Sequence, residues 1–500
     1  MSAFPLHSQL IIDSIEIKAI RPYSFDLINP SYQKQDSSLT LLKITDILNR
    51  LPGGQIQISS PGGLQTFLHR GMSTRHLPVI WQGLNIQSVI NNTFDYNLIP
   101  ASLFNDITFY SFGSPAITGN NAFAGAFNLG SKNSDEFLKI GLETSSLYNY
   151  RINLLTQKRY GNTSHTFGTE YSIENNIFTY KDGNDFKKRT TTDFHNFNIV
   201  YRNRFIINQK QVISLDFWWQ NAHRNIPVSI TSSQTDQLQH DRNLRLHINH
   251  TYLWGKYKIA ANAHYMSEIL NFKTPAVDSH SASDIYQIGI ELTEVSKNDR
   301  HFFLKFRKDI ATPNFYTEIK NRNTVSAGVS KKLKLHSKVI AGISLRQDMV
   351  DKKWLPFSAT ALINYFKSSL SFSKNYNLPG FNDLYWPNGG DADLNAEQIL
   401  QAELSTCFII NEINFIPKAY VNRISDWIQW TPQNNGIWTA INQKKVQSSG
   451  LELEMKRIFR FEKLIYTFSA GYAFNRTYAL DHYTDKSQIG KQLIYVPKHK

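Results

Sequence analysis

Cysteine is almost missing from this chain: Cys407 is the single one in 500 residues. No internal disulfide can form, and no cysteine-based zinc site exists. Long apolar runs are missing too. None approaches the roughly 20 residues needed to cross a bilayer as a helix, which excludes a bundle of membrane helices but not membrane strands. The net charge is +14, yet no block of Lys and Arg stands out, and nucleic-acid binding needs a clustered basic footprint. There is no Gly-x-Ser-x-Gly elbow, phosphate loop or His-Glu-x-x-His metal helix, so no enzyme is read here and no catalytic residue, metal or cofactor is assigned. His247 and His250 resemble a chelating pair, but a separation of three puts them on opposite faces of a strand. Glu452 and Glu454 share a strand face, a common arrangement in a solvated lumen. Met1 to Leu10 lacks the basic region and apolar core of a secretory leader. Either the leader lies outside this sequence, or the start is assigned late, or the protein is not exported. Leu493 to Lys500 is a poor final strand for a barrel, and the chain is expected to be incomplete.

Residues 1–38 read as an extended segment on a flexible leash, with Ile11, Ile12, Ile15 and Ile17 in an alternating stretch. Ser38 or Thr40 can cap a helix carrying Leu41, Leu42, Ile44, Ile47, Leu48 and Leu51, stopped by Pro52-Gly53-Gly54. Short strands follow, at Ile56/Ile58, Leu77 to Trp81 and Ile107 to Phe112. Residues 39–131 therefore make a compact α+β unit.

Residues 132–500 change character. In Leu244 to Trp254 even positions are mostly apolar or aromatic and odd ones mostly polar, a strand with one greasy and one wet face. The same period recurs in Leu138/Ile140/Leu142, Phe197/Ile199/Tyr201, Val339/Ala341/Ile343/Leu345 and Tyr466/Phe468/Ala470/Tyr472/Phe474. About seventeen or eighteen strands are expected. Many runs last nine or more residues, the length that crosses a membrane at a tilt, and only closure satisfies such a sheet in lipid. Trp218, Trp219 and Trp254 suit interfacial girdles. A soluble β-sandwich or propeller is the alternative, with shorter strands. The fold class expected is mainly β: a large transmembrane antiparallel barrel with the α+β unit in its lumen.

Several stretches carry a resemblance. They are Asp46 to Gly53, Gly62 to Phe67, Arg70-Gly71, Val79 to Ser88 and Asp95 to Pro100, then Phe381 to Pro387, Asp393 to Glu397 and Ser449 to Glu454. In this order the chain resembles the TonB-dependent outer-membrane receptors, of the Bacteroidetes type, with a plug similar to that of the cobalamin receptor. The resemblance implies a 22-stranded barrel of a Gram-negative outer membrane, closed by the plug and energised through the TonB complex. It implies that the carboxyl end is truncated, leaving an open seam.

It implies that Ile11 to Ile20 supplies a TonB box, which would work by strand addition. It implies that Arg70 latches onto Glu397 and Glu452. Phe112 stands where many relatives have a second arginine, and Gln82 replaces the usual Asp or Asn. Loops 59–65 and 85–92 match the apical loops that touch ligand, giving Ser60, Gly63, Gln65, Asn85, Gln87 and Ser88 as candidates. Their composition suits neutral hydrogen bonding more than a highly charged chelate. The partners implied are TonB, outer-membrane lipid and a small-molecule ligand, cobalamin-like or a ferric chelate. A surface-binding or anchoring barrel without transport is the alternative.

Overall fold

The computed structural model describes residues 32–33, 43–58, 60, 62–114, 119–130, 136–189, 192–226, 237–294, 300–433, 436–461, 464–483, 485–493 and 496–500. Ile11, Ile12, Ile15 and Ile17 lie outside them.

The first unit folds around a helix and two small sheets. The helix spans Ile44–Asn49, with Lys43 at its N-cap, so it starts later than the Ser38 or Thr40 cap expected. Ile44, Ile47 and Leu48 are buried on one face, as their 3.6-residue spacing requires. Gly54–Ile58 and Gln65–His69 form a hairpin. In the second sheet Asp106–Tyr110 pairs antiparallel with Ala126–Gly130, which runs parallel to Val79–Trp81. Phe67, Tyr96, Phe109 and Phe127 fill the space between the sheets, and several of these rings meet edge to face.

The wall runs from Phe137–Thr144 to Leu464–His482 as an antiparallel meander. Lys353–Trp354 pairs with Val339–Val350, and Phe408–Ile410 pairs with Ile413–Pro432. Without these two short pieces, seventeen strands cross the wall among the described residues. Connections alternate in length. One end has tight turns such as 209–210 and 255–256, and the other has long segments such as 378–396. In Gln237–Trp254, Asp241, Asn243, Arg245, His247 and Asn249 are buried toward the lumen, while Ile248 is exposed on the outer face. That is the period-two pattern set by the pleat.

Two expectations need correcting. The sheet order closes, with Leu464–His482 beside Phe137–Thr144, where an open seam was expected. On its other side Phe137–Thr144 pairs antiparallel with Asn149–Tyr160. The outer edge of Leu464–His482 is also bridged by the segment after it, at Phe474 with His499 and Tyr478 with Gln492. The second correction is Trp218, which is no girdle residue. It is fully buried on the lumen side, its Nε1 donates to Asn198 at 3.0 Å, and Phe104 of the inner unit packs against it. Trp254 does face outward, 63% exposed.

Candidate functional site

Four junctions hold the inner unit against the wall. At the first, Arg70 follows the hairpin strand Gln65–His69 and adopts φ +54°. This left-handed backbone is costly for a side chain with a Cβ and persists only where the surroundings impose it. Its Nε and Nη2 donate to the two carboxylate oxygens of Glu452 at 2.8 and 2.9 Å, and Nη1 donates to Glu403 at 2.6 Å. The guanidinium lies 4.2 Å from the Tyr420 ring centre. A Cβ at Gly53, φ +69°, would come within 2.5 Å of Glu452 Oε1. Only glycine lets the backbone pass here.

Arg70 is 1% exposed and Glu452 5%, so the pair is shielded from water. Burial pulls the Arg70 pKa down, but Glu452 and Glu403 more than offset it and leave it raised. Beside it, His69 is fully buried, and its Nδ1 lies 2.8 Å from the Ala124 carbonyl. Burial, then the charge of Arg70, lowers its pKa to about 3.

Glu397 is not a partner of Arg70. It binds His76 Nε2 at 3.0 Å and accepts from Asn377 and the Ile428 amide. This is the second junction. The adjacent Arg75 donates to both oxygens of Asp383 at 3.1 and 3.0 Å. Asp383 belongs to the short helix Phe381–Tyr385 in the connection 378–396 and also accepts from Trp430. The same connection takes the backbone carbonyls of Val89 and Ile90 through the amides of Phe381 and Asn382. It is thus tied directly to loop 85–92.

At the third junction the polarity reverses. Arg224 on the wall lies 2.7 Å from Asp95 on the inner unit and 3.2 Å from Asp241. Gln65 is buried here, its backbone N–H donating to Asp95 at 3.1 Å. Ser60 accepts the Gly63 amide through its carbonyl at 2.9 Å, forming a tight turn. Ser60, Gly63 and Gln65 are therefore packed around a junction. Gln82 makes the fourth, donating to Asp216 at 3.2 Å and accepting from His264 at its carbonyl.

Asn85, Gln87 and Ser88 are elsewhere, lining a chamber of about 100 Å³ between loop 85–92 and the wall. The Gln87 side-chain amide is spent on the Thr74 and Leu77 carbonyls, at 2.8 and 3.0 Å. Its role there is to hold the loop. The opposite side of the chamber is basic: Lys305, Arg307, Arg322 and Arg346 line it with Asp309. Asp309 is shared, Arg307 donating at 2.6 Å and Arg322 at 3.4 Å. Lys305 leans on Glu291 and Arg346 on Asp348. Arg307 also reaches the Asn85 carbonyl at 3.4 Å.

The sequence reading missed these four cations, although their parity was visible. Positions 301, 303, 305, 307 and 309 of the strand Arg300–Ala311 share one face and read His, Phe, Lys, Arg, Asp. The pair His247 and His250 does split across faces. His247 points inward and stacks on His264 at 4.4 Å, while His250 contacts Gln211. No three metal-ligating side chains gather among the described residues. No described helix is long and apolar enough to cross a membrane.

Comparison with known proteins agrees with this architecture. Residues 91–500 match the family profile "TonB dependent receptor-like, beta-barrel", and residues 32–126 match "TonB-dependent Receptor Plug Domain". The vitamin B12 transporter BtuB of Vibrio vulnificus is 22% identical over 483 residues, covering 83% of this chain and 70% of that protein. The crystal structure of the siderophore receptor PirA from Acinetobacter baumannii superposes with TM-score 0.73 at 16% identity, covering 94% of this chain and 82% of that one. The ferric yersiniabactin uptake receptor FyuA from Yersinia pestis gives TM-score 0.71 at 12% identity, covering 97% and 83%. With a plug of mixed α and β structure seated in a large antiparallel wall, and with more than half its length matched to the barrel profile, the chain belongs to the TonB-dependent receptors, an outer-membrane transport family.

Proposed function

We propose that this receptor imports an anionic metal chelate, bound first at the chamber above loop 85–92. The observation that carries the reading is the basic wall of that chamber. Lys305, Arg307, Arg322 and Arg346 present four cations, one more than the three carboxylates that pair with them, Glu291, Asp309 and Asp348. Polar loop residues alone would suit a neutral amide-rich cargo, but the cations favour negative charge and bidentate oxygen ligands. In support, structural neighbours include a protein described as a siderophore receptor and one described as a ferric yersiniabactin uptake receptor. The second reading, cobalamin, rests on the curated relatives named as vitamin B12 transporters.

Three junctions, Arg70 with Glu452 and Glu403, Arg75 with Asp383 and Arg224 with Asp95, act as latches that keep the plug seated until it is pulled. Ile11, Ile12, Ile15 and Ile17 serve as the strand that TonB captures on the periplasmic side. The connection 378–396 links cargo binding to the plug, because it grips the loop under the cargo and is held by Arg75.

Isothermal titration of the detergent-purified protein with a ferric tris-catecholate chelate and with cyanocobalamin tests the cargo. The chelate should bind, and Arg307→Gln with Arg322→Gln should weaken it at least about 100-fold, each of the two charge-assisted contacts being worth roughly 1.5–3 kcal/mol. Cyanocobalamin binding that the double variant leaves unchanged, with no chelate binding, would favour the second reading.

A further inference from the structure

The outer face of the wall carries a feature unrelated to the chamber. Between the strands Val339–Val350 and Ile413–Pro432 lies an open groove of about 560 Å³ lined mainly by apolar side chains. Two cross-strand rows build it. One row places Ala359, Lys374, Leu400 and Arg423 side by side, and the next places Ala361, Phe372, Ala402 and Val421 side by side. Leu400 and Phe372 are 58% and 51% exposed, so both rows face away from the plug. The alanines make the hollow, because small side chains stand between bulky ones. The next row continues apolar, with Ile363, Leu370 and Leu404 exposed.

The cations fix the orientation. Lys374 is three residues from the end of Ser368–Asn377, where the long connection 378–396 begins. The apolar rows lead from there toward the short turn 366–367. Lys374 and Arg423 flank Leu400 with one strand between them, a separation of about 10 Å at the usual strand spacing. A cation on the lipid face of a barrel is destabilising near the bilayer centre and favourable only at headgroup level. Two cations above a hollow apolar strip match a ligand with phosphate at one end and acyl chains below it. Lys374 is steadied by the Phe357 ring, 4.2 Å away, and Arg423 by Gln447 at 3.2 Å.

We propose that this groove seats a phosphorylated, acylated glycolipid of the lipid A type, in the leaflet next to the long connections. Its phosphate lies between Lys374 and Arg423, and an acyl chain lies over Ala361 and Ala402. The site is independent of the cargo reading, since it lies on the opposite face of the wall.

The test is native mass spectrometry of the detergent-purified full chain titrated with diphosphoryl lipid A, its dephosphorylated form and phosphatidylglycerol. Diphosphoryl lipid A should bind at one site. Lys374→Gln with Arg423→Gln should weaken it about 25-fold, each basic side chain near an anionic lipid being worth roughly fivefold. Ala402→Phe, which fills the hollow and leaves both cations, should also weaken it. Far-UV circular dichroism and heat-modifiable gel mobility report that each variant is folded, whichever cargo the protein takes. Dephosphorylated lipid A binding as well as the diphosphoryl form would overturn the proposal. So would equal binding of phosphatidylglycerol, or a double variant that binds like the wild type.

Discussion

Arg224 of the wall and Asp95 of the plug form an ion pair of 2.7 Å in which the wall supplies the cation, the reverse of Arg70 and Glu452. Both sets are buried, so loss of one partner strands a charge away from water, a change that typically costs about 3–5 kcal/mol. Arg224→Gln should therefore loosen the plug about as much as Arg70→Gln. The two sites share no partner, so their effects should add within about 0.5 kcal/mol. Denaturant-dependent proteolysis of the plug in the full-length protein measures both. A variant at either position with wild-type resistance would show that the pair is no latch.

A pH dependence follows from His69. Its pKa is lowered to about 3 by burial and by Arg70, whereas in an unfolded plug it returns to about 6.5. Between these values the unfolded plug binds the extra proton. The contribution of His69 is thus fully present above pH 6.5 and is lost as pH falls toward 3, at up to about 1.4 kcal/mol per pH unit. His69→Phe, which keeps the ring contacts with Phe67 and Phe109, should flatten that slope in the same proteolysis assay. An unchanged slope would assign the acid sensitivity to other groups.

The proposed energy-coupling segment at Ile11, Ile12, Ile15 and Ile17 gives a separate prediction. Strand addition uses backbone donors, so Ile15→Val should be tolerated, while Ile15→Pro removes a donor and breaks the ladder. Cells carrying Ile15→Pro should bind cargo at the surface and fail to accumulate it. Normal accumulation would remove this segment from the TonB-capture role.

What was legible in the sequence depended on whether it was local. The period-two alternation in Leu244 to Trp254 and the helical spacing of Ile44, Ile47 and Leu48 report each element's own environment, and both faces came out as read. Arg70 and Glu452 were reachable through their motifs. Glu403 and the Arg224–Asp95 pair were not, because they depend on how the plug is rotated in the lumen, and no local spacing encodes that. Trp218 misled although its parity is local, since it shares the buried face of its strand with Asp216 and Gln220. Its neighbour Trp219 has the opposite parity, and composition alone cannot say which of the two faces lipid. The basic chamber was missed because its cations are spread over three strands and converge only when the wall curves.

The most direct test of the account is accumulation of a radiolabelled ferric catecholate chelate, compared with labelled cobalamin, by cells expressing the protein with and without TonB. The account predicts chelate accumulation that requires TonB and falls sharply in the Arg307→Gln, Arg322→Gln variant. Accumulation of cobalamin with none of the chelate, or chelate uptake that persists without TonB, would contradict it.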